Sequence, residues 1–265
     1  MKIHQVWIGE HPIPKIWIRT VTDFCSQYKY EYILWTDDKI KDFPFENRAL
    51  YDKLRSESYA GAVDVLRYEI LNQEGGVYLD ADTVVVKPAA FHAFLQKHAN
   101  DVFFGCEVDD CAYYANGTLG TPAHSPFFKT LVKELPAYAE KYATEGPQIK
   151  TGPGFLTYIA KQRSDYVLIP TKVFYPISWH NISDPYLHMK ITLPDESLLF
   201  QYGYSTNKFN TIFEMWRFIF FSLMGVLLSC LLYLALKYKN RRTQIGIATV
   251  IAIILAVIIR DRWIP

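Results

Sequence analysis

The chain has 265 residues, 50% of them apolar and 21% charged, with a formal net charge of +1. That length suits one large domain with a substantial core, and it excludes a disordered tail protein, a collagen-like repeat and a small disulfide scaffold. The near-neutral total hides a split: residues 216–265 hold seven Lys/Arg and one acid, a tail of +6, while residues 1–215 carry 21 basic and 26 acidic side chains, or −5.

In chain order, Ile3–Ile8 (IHQVWI) reads as a strand, and Pro14 can open a helix that runs to about Cys25. Tyr30–Trp35 (YEYILW) is strand-like, with Thr36-Asp37-Asp38 as capping residues for the next segment. Ser58 is an N-cap for a helix reaching Gln73, closed by Gly75-Gly76. Val77–Leu79 is a strand, Asp80-Ala81-Asp82 interrupts it, and Thr83–Val86 continues it until Lys87-Pro88. Later come a helix near Ser125–Tyr142, a glycine-proline turn at Thr151–Gly154 and a short strand at Val167–Ile169. This alternation is the signature of an α/β domain whose mostly parallel sheet is covered on both faces.

The tail reads differently. Phe218 to Leu236 is nineteen residues without a charge, ~28 Å as a helix and close to the hydrocarbon thickness of a bilayer. Ile245 to Ile259 is a second uncharged run of fifteen, ~22 Å and marginal for a span. The two runs flank KYKNRR, residues 237–242. The expected organisation is a domain over 1–210 and a membrane anchor over 211–265, with helices at about 216–236 and 243–259. Positive charges tie on the two sides of the runs. MKIHQVWIGEHPIP lacks the apolar stretch of a signal peptide, so a cytosolic catalytic side is the expectation, with a lumenal side as the alternative. The four cysteines (Cys25, Cys106, Cys111, Cys230) are scattered and read as free thiols of a reducing compartment. Asn116-Gly-Thr and Asn181-Ile-Ser match glycosylation sequons.

Chemistry concentrates between Ala60 and Pro88. On a helix, Asp64, Arg67 and Tyr68 share one face, beside an apolar face of Val63, Leu66 and Ile70. Taken alone, such an Asp–Arg pair also fits a solvated surface bridge. Asp80 and Asp82 stand two apart at the end of an apolar strand, so both carboxylates can point the same way. Two anions there repel unless a cation sits between them. A hard ion such as Mn²⁺ or Mg²⁺, completed by substrate phosphates, fits that donor set. A plain aspartate-rich turn is the other reading of the pair.

The run D-x-x-R-Y-x-x-L-x-x-x-G-G-x-Y-x-D-x-D from Asp64 to Asp82, within Ala60–Asp82, resembles glycosyltransferase family 32 and related DXD sugar transferases. That group includes initiating mannosyltransferases, inositol-phosphoceramide mannosyltransferases and, more distantly, glucosylating toxin domains. IHQVWIG, the Tyr32–Asp37 segment, His124-Ser125-Pro126-Phe127, Thr151-Gly152-Pro153 and Phe174-Tyr175-Pro176 are similar to further family segments in the same order.

The resemblance implies a GT-A type nucleotide-diphospho-sugar transferase domain with retaining stereochemistry. Trp7 would stack on the nucleobase, Asp64 and Arg67 would contact the donor sugar or ribose and the phosphates, and Tyr78 would flank the nucleotide. Asp80 would bind hydroxyls and the metal through water, Asp82 would ligate the metal, and Gly152 would let the backbone approach the sugar. The ending departs from the family's H-x-W-x-x-S-W pattern: Gln201 stands where a His is usual, and His188 is a competing third metal ligand. The expected donor is GDP-mannose or a UDP-hexose, and the expected acceptor a hydroxyl of a glycolipid, sphingolipid or lipid-linked glycan at the membrane, with no nucleic-acid partner. A non-catalytic sugar-nucleotide-binding membrane protein is the alternative.

Overall fold

The chain divides into two compact units, Met1–Ile182 with Leu187–Gly203, and Ser183–Tyr186 with Tyr204–Pro265. The computed structural model describes residues 1–177 apart from 12 and 14, residues 193–203, and scattered positions between 219 and 250. The first unit runs β1 (Lys2–Val6), α1 (Lys15–Tyr28), β2 (Glu31–Trp35), α2 (Asp37–Lys41), α3 (Arg48–Glu57), α4 (Tyr59–Glu74), β3 (Gly76–Leu79) and β4 (Thr83–Val85). It continues with α5 (Pro88–Lys97), β5 (Phe103–Cys106), β6 (Tyr114–Thr121), α6 (Pro126–Lys141), α7 (Pro147–Lys150), α8 (Pro153–Ala160), β7 (Val167–Ile169), α9 (Thr171–Phe174) and β8 (Leu199–Gln201).

Six strands form one sheet in the order β2-β1-β3-β6-β5-β7. β1 is parallel to β2 and β3, β5 is parallel to β7, and β6 alone runs against its neighbours β3 and β5. The reversal follows from the short connection between β5 and β6, which only an antiparallel pair can use. It places the start of β6 at the same sheet edge as the ends of β1, β3 and β5. That edge carries Trp7, Asp80 and Asn116.

Thr83–Val86 does not continue β3 as expected. The Thr83 N–H donates to the Asp80 carbonyl at 2.9 Å, closing a turn, and β4 leaves to pair with β8 in a separate two-stranded sheet. A turn has no strand parity, so the i, i+2 argument for Asp80 and Asp82 does not apply.

Each sheet face has its own core. Leu66, Tyr68, Leu119, Phe127 and Phe155 lie in one; Ile3, Phe24, Phe91, Phe103 and Phe174 lie in the other. Ser58 caps α4, its side chain accepting from the Gly61 N–H. α4 is covered nearly all round, from Gly61 to Asn72 with only Val63 partly open. The helix therefore shows no strong polar stripe, as a helix buried on all sides should not. Gly75 and Gly76, at φ of 62° and 91°, make the turn into β3. A Cβ on Gly75 would lie 2.4 Å from the Ala123 nitrogen, and one on Gly76 2.4 Å from the Lys2 carbonyl oxygen. Only glycine fits both the dihedrals and the space.

Cys106 and Cys111 form a disulfide, which corrects the free-thiol reading. The β5–β6 hairpin brings their Cα atoms to 4.9 Å, within bridging range. Cys25 and Cys230 are free, the first buried and the second exposed. Among the described residues, no helix is long and apolar enough to cross a membrane. The expected helices at about 216–236 and 243–259 lie largely outside the described residues, as do His188 and Asn181.

Candidate active site

The site is assembled where α4 passes beneath the end of β3 and the start of β6. Asp64 and Arg67 share a face of α4 as their spacing requires, but they are no surface bridge: each is only 5% exposed. The Arg67 Nη2 stands 3.2 Å from Asp64 Oδ1 and 3.2 Å from Asp80 Oδ1, so one guanidinium joins both carboxylates. Its Nη1 donates to the Asn116 carbonyl at 2.6 Å, and its Cζ lies 4.6 Å from the Tyr78 ring centroid.

Asp64 is held by two further groups. Its Oδ1 accepts from the Asn116 amide at 2.8 Å and its Oδ2 from the Thr151 hydroxyl at 2.8 Å. The Tyr68 hydroxyl donates to the Thr151 carbonyl at 3.0 Å and accepts from Asn116 at 3.3 Å. Gly152 is next: a Cβ there would lie 3.1 Å from Asp64 Oδ2. Burial raises the Asp64 pKa to about 6, against the lowering pull of Arg67, Thr151 and Asn116. Burial opposes the charge on Arg67 too, yet Asp80, Tyr78 and Asp64 outweigh it and hold its pKa above the ordinary value.

Asp80 receives its backbone position from the Gly117 carbonyl, which accepts its N–H at 2.8 Å. Gln5 donates to the Asp80 carbonyl at 3.0 Å. The Tyr78 hydroxyl donates to Asp80 Oδ1 at 2.8 Å, and the Gln201 amide to Oδ2 at 2.7 Å. Tyr78 is itself buried, so it braces Asp80 from below. Asp82 is buried, and its carbonyl accepts the Tyr202 N–H at 3.2 Å. Trp7 is half-buried at the end of β1, its indole N–H donating to the His11 carbonyl at 2.8 Å.

Asn116, Gly117 and the Thr151 hydroxyl are site residues that motif reading passes over. Between β5 and β6 the register jumps from Phe104↔Leu119 to Gly105↔Ala115. The irregular stretch of β6 is what turns Asn116 toward Asp64. An Asn-Gly pair inside an apolar strand is the available signal, since it marks a bulge; read as a sequon, it points to the wrong chemistry. The Asn116 side chain is buried and bonded within the site, so it is not a glycan acceptor in the folded unit.

Among the described residues no group of three or more His, Cys, Asp or Glu gathers around one point. Asp80 and Asp82 still offer hard oxygen donors of the type that Mg²⁺ or Mn²⁺ takes from few carboxylates, and they fit such an ion. Both oxygens of Asp64 are bonded inward, to Asn116, Thr151 and Arg67.

Residues 14–101 match the family model described as a glycosyltransferase sugar-binding region containing the DXD motif. Inositol phosphoceramide mannosyltransferase 1 of Schizosaccharomyces pombe is 33% identical over 177 residues, covering 63% of this chain and 52% of its own length. The chain thus spans about half the length of that curated relative. The uncharacterized glycosyltransferase L373 of Acanthamoeba polyphaga mimivirus is 29% identical over 199 residues, covering 68% of this chain and 74% of its own. A solved structure, PaToxG Glycosyltransferase, overlays with a TM-score of 0.48 at 19% identity, covering 61% of this chain and 67% of that one.

Proposed function

We propose that this protein, whose residues 14–101 match the model of a glycosyltransferase sugar-binding region with the DXD motif, is a retaining, metal-dependent hexosyltransferase of the GT-A type. It moves a hexose, mannose in our reading, from a nucleotide-diphosphate donor to a hydroxyl of a membrane lipid or lipid-linked glycan. The observation that carries this reading is the buried chain Asp64–Arg67–Asp80 at the sheet edge where the DXD turn begins.

Asp80 and Asp82 would hold Mn²⁺ or Mg²⁺, which when bound neutralises charge on a departing diphosphate. The chain's own residues do the positioning. Asp64, ionised, fixes the guanidinium of Arg67 in one orientation, and Tyr78 backs it. A charge held this way in a water-poor site acts on a donor's phosphates or hydroxyls more strongly than it would in bulk water. Trp7 offers an aromatic face for the nucleobase at the end of β1, and Gly152 keeps the floor beside Asp64 free of a side chain.

A lipid acceptor is supported by the uncharged run at 218–236 and by the name of the Schizosaccharomyces pombe relative. Disulfides persist in oxidising compartments, so the Cys106–Cys111 bridge supports a lumenal or extracellular side for the folded unit in place of the cytosolic one.

The test is donor turnover. Purified protein with Mn²⁺ and GDP-mannose or UDP-hexoses is expected to release the nucleoside diphosphate and to transfer hexose to inositol-containing sphingolipid, and Asp82→Asn to abolish both. Absence of turnover with every donor would sink the enzyme reading. Donor binding without turnover, seen as a raised melting temperature, would establish the second reading, a sugar-nucleotide binder, which Gln201 in place of a family His favours.

A further inference from the structure

Gln201 belongs to neither the matched family region nor the motif around Asp80, yet it makes the only described hydrogen bond to Asp80 Oδ2, at 2.7 Å through its Nε2. Three features show that this contact is built into the fold. Gln201 pairs with Thr83 across the β4–β8 ladder, so its backbone is registered against the residue that ends the DXD turn. The next residue, Tyr202, donates its N–H to the Asp82 carbonyl at 3.2 Å and stacks on Trp17 with ring centroids 5.1 Å apart. One short strand therefore grips the Asp80–Asp82 turn twice, once by a side chain and once by the backbone.

The third feature is the space above Gly117. A Cβ there would lie 2.6 Å from Asp80 Oδ2 and 2.9 Å from Gln201 Oε1. The amide–carboxylate pair fills the volume that any other residue at 117 would claim. Gly117 is also the residue whose carbonyl fixes the Asp80 N–H, so β6 cannot retreat to make room without releasing Asp80.

The chemistry of the contact is specific. Tyr78 and Arg67 both act on Oδ1 and leave the other oxygen free to swing. A neutral amide on Oδ2 stops that swing without cancelling the charge. A Lys or Arg at 201 would pair with the carboxylate and compete with a cation for it. Since a carboxylate offers about four acceptor sites, one N–H on Oδ2 leaves room for a ligand on the same oxygen.

We propose that Gln201 is a positioning residue: it fixes the carboxylate plane of Asp80 for a divalent cation and the diphosphate that the cation carries. This rests on the hexosyltransferase reading for its purpose, but its test reads binding. The full chain is titrated calorimetrically with GDP and UDP, each with and without Mn²⁺, for wild type, Gln201→Met and Gln201→His. Met keeps the length and loses the donor; His restores an N–H. Melting temperature in EDTA is measured for each.

Gln201→Met is expected to weaken Mn²⁺-dependent nucleotide binding tenfold or more, with the nucleotide-only affinity and the EDTA melting temperature near wild type. Gln201→His is expected to recover binding to within about threefold. In transfer assays the Met variant raises the Mn²⁺ concentration for half-maximal rate more than it lowers kcat. Wild-type Mn²⁺-dependent binding by Gln201→Met overturns the proposal, as does a folded Gln201→His that binds no better than the Met variant. Wild type that shows no Mn²⁺-dependent binding overturns it too. If wild type binds with Mn²⁺ but transfers no hexose, the hexosyltransferase reading falls and the role of Gln201 is still decided by the titration.

Discussion

Helix α4 buries two carboxylates, Asp64 and Glu69, and their surroundings differ in a way that separates a site from a staple. Glu69 is fully buried and accepts from the Glu46 N–H at 3.2 Å, the Asn47 N–H at 2.9 Å and the Asn47 amide at 2.9 Å. The same Asn47 amide donates to the Val132 carbonyl at 2.9 Å. Every donor is neutral, and the network ties the start of α3 to α4 and α6 with no path to a ligand. Asp64 is paired instead with a cation, and that cation is shared with Asp80, whose side chain is 22% exposed. Burial raises the pKa of both carboxylates, so depth alone does not distinguish them. The identity of the donors does.

Arg67→Met separates the two carboxylates most strongly. It leaves Asp64 buried without its cation, and a loss of about 3–5 kcal/mol of stability is expected. The folded fraction should lose transfer activity by a factor on the order of 10² or more. Urea unfolding and donor turnover, measured on the same preparation, check both. A folded variant that works at the wild-type rate would make Arg67 a staple like Asn47.

Glu69→Gln tests the other half. One set of donors loses its acceptor, which costs about 1–3 kcal/mol, while turnover per folded molecule stays at the wild-type level. Reducing the Cys106–Cys111 bridge, or replacing both cysteines with Ser, belongs on the same structural side. It should cost about 2 kcal/mol in chemical denaturation for so short a loop, with donor affinity unchanged.

The smallest effect is in pH. The folded pKa of Asp64, about 6, lies above the ordinary carboxylate value of 3.8. Its contribution to stability is therefore greatest below the unfolded pKa and is lost as pH rises through about 6. Activity runs the other way, because Asp64 orients Arg67 only when ionised. The rate is expected to fall below about pH 6 with the slope of a single proton. Asn116→Ala removes a hydrogen bond that lowers this pKa, so the acid limb should move upward by less than one unit. A limb that moves down, or stays, would detach it from Asp64.

Spacing makes part of this site legible in advance. Asp64, Arg67 and Tyr68 share a face because a helix repeats every 3.6 residues, and Gly75-Gly76 had to be the turn before β3. Asp80 and Asp82 stand out by motif, yet strand parity aims them wrongly, since Asp80 opens a turn closed by Thr83. The depth of α4 is also hidden. A helix covered on all sides has no polar stripe to read, and the Asp–Arg pair looks compatible with a surface.

The α/β alternation, the helix bearing Asp64 and Arg67, the DXD motif and the charge boundary near the uncharged runs can all be read from the chain itself. All of these depend on neighbours within a few residues. Tertiary structure alone decided that Asn116, Thr151 and Gln201 meet Asp64 and Asp80, that β6 runs backwards in the sheet, and that Cys106 faces Cys111. The contacts of Asp64 with Asn116 and Thr151, and that of Asp80 with Gln201, close over separations of 52, 87 and 121 residues. No local periodicity encodes contacts that only the packing of β6, α8 and β8 around one sheet edge can make.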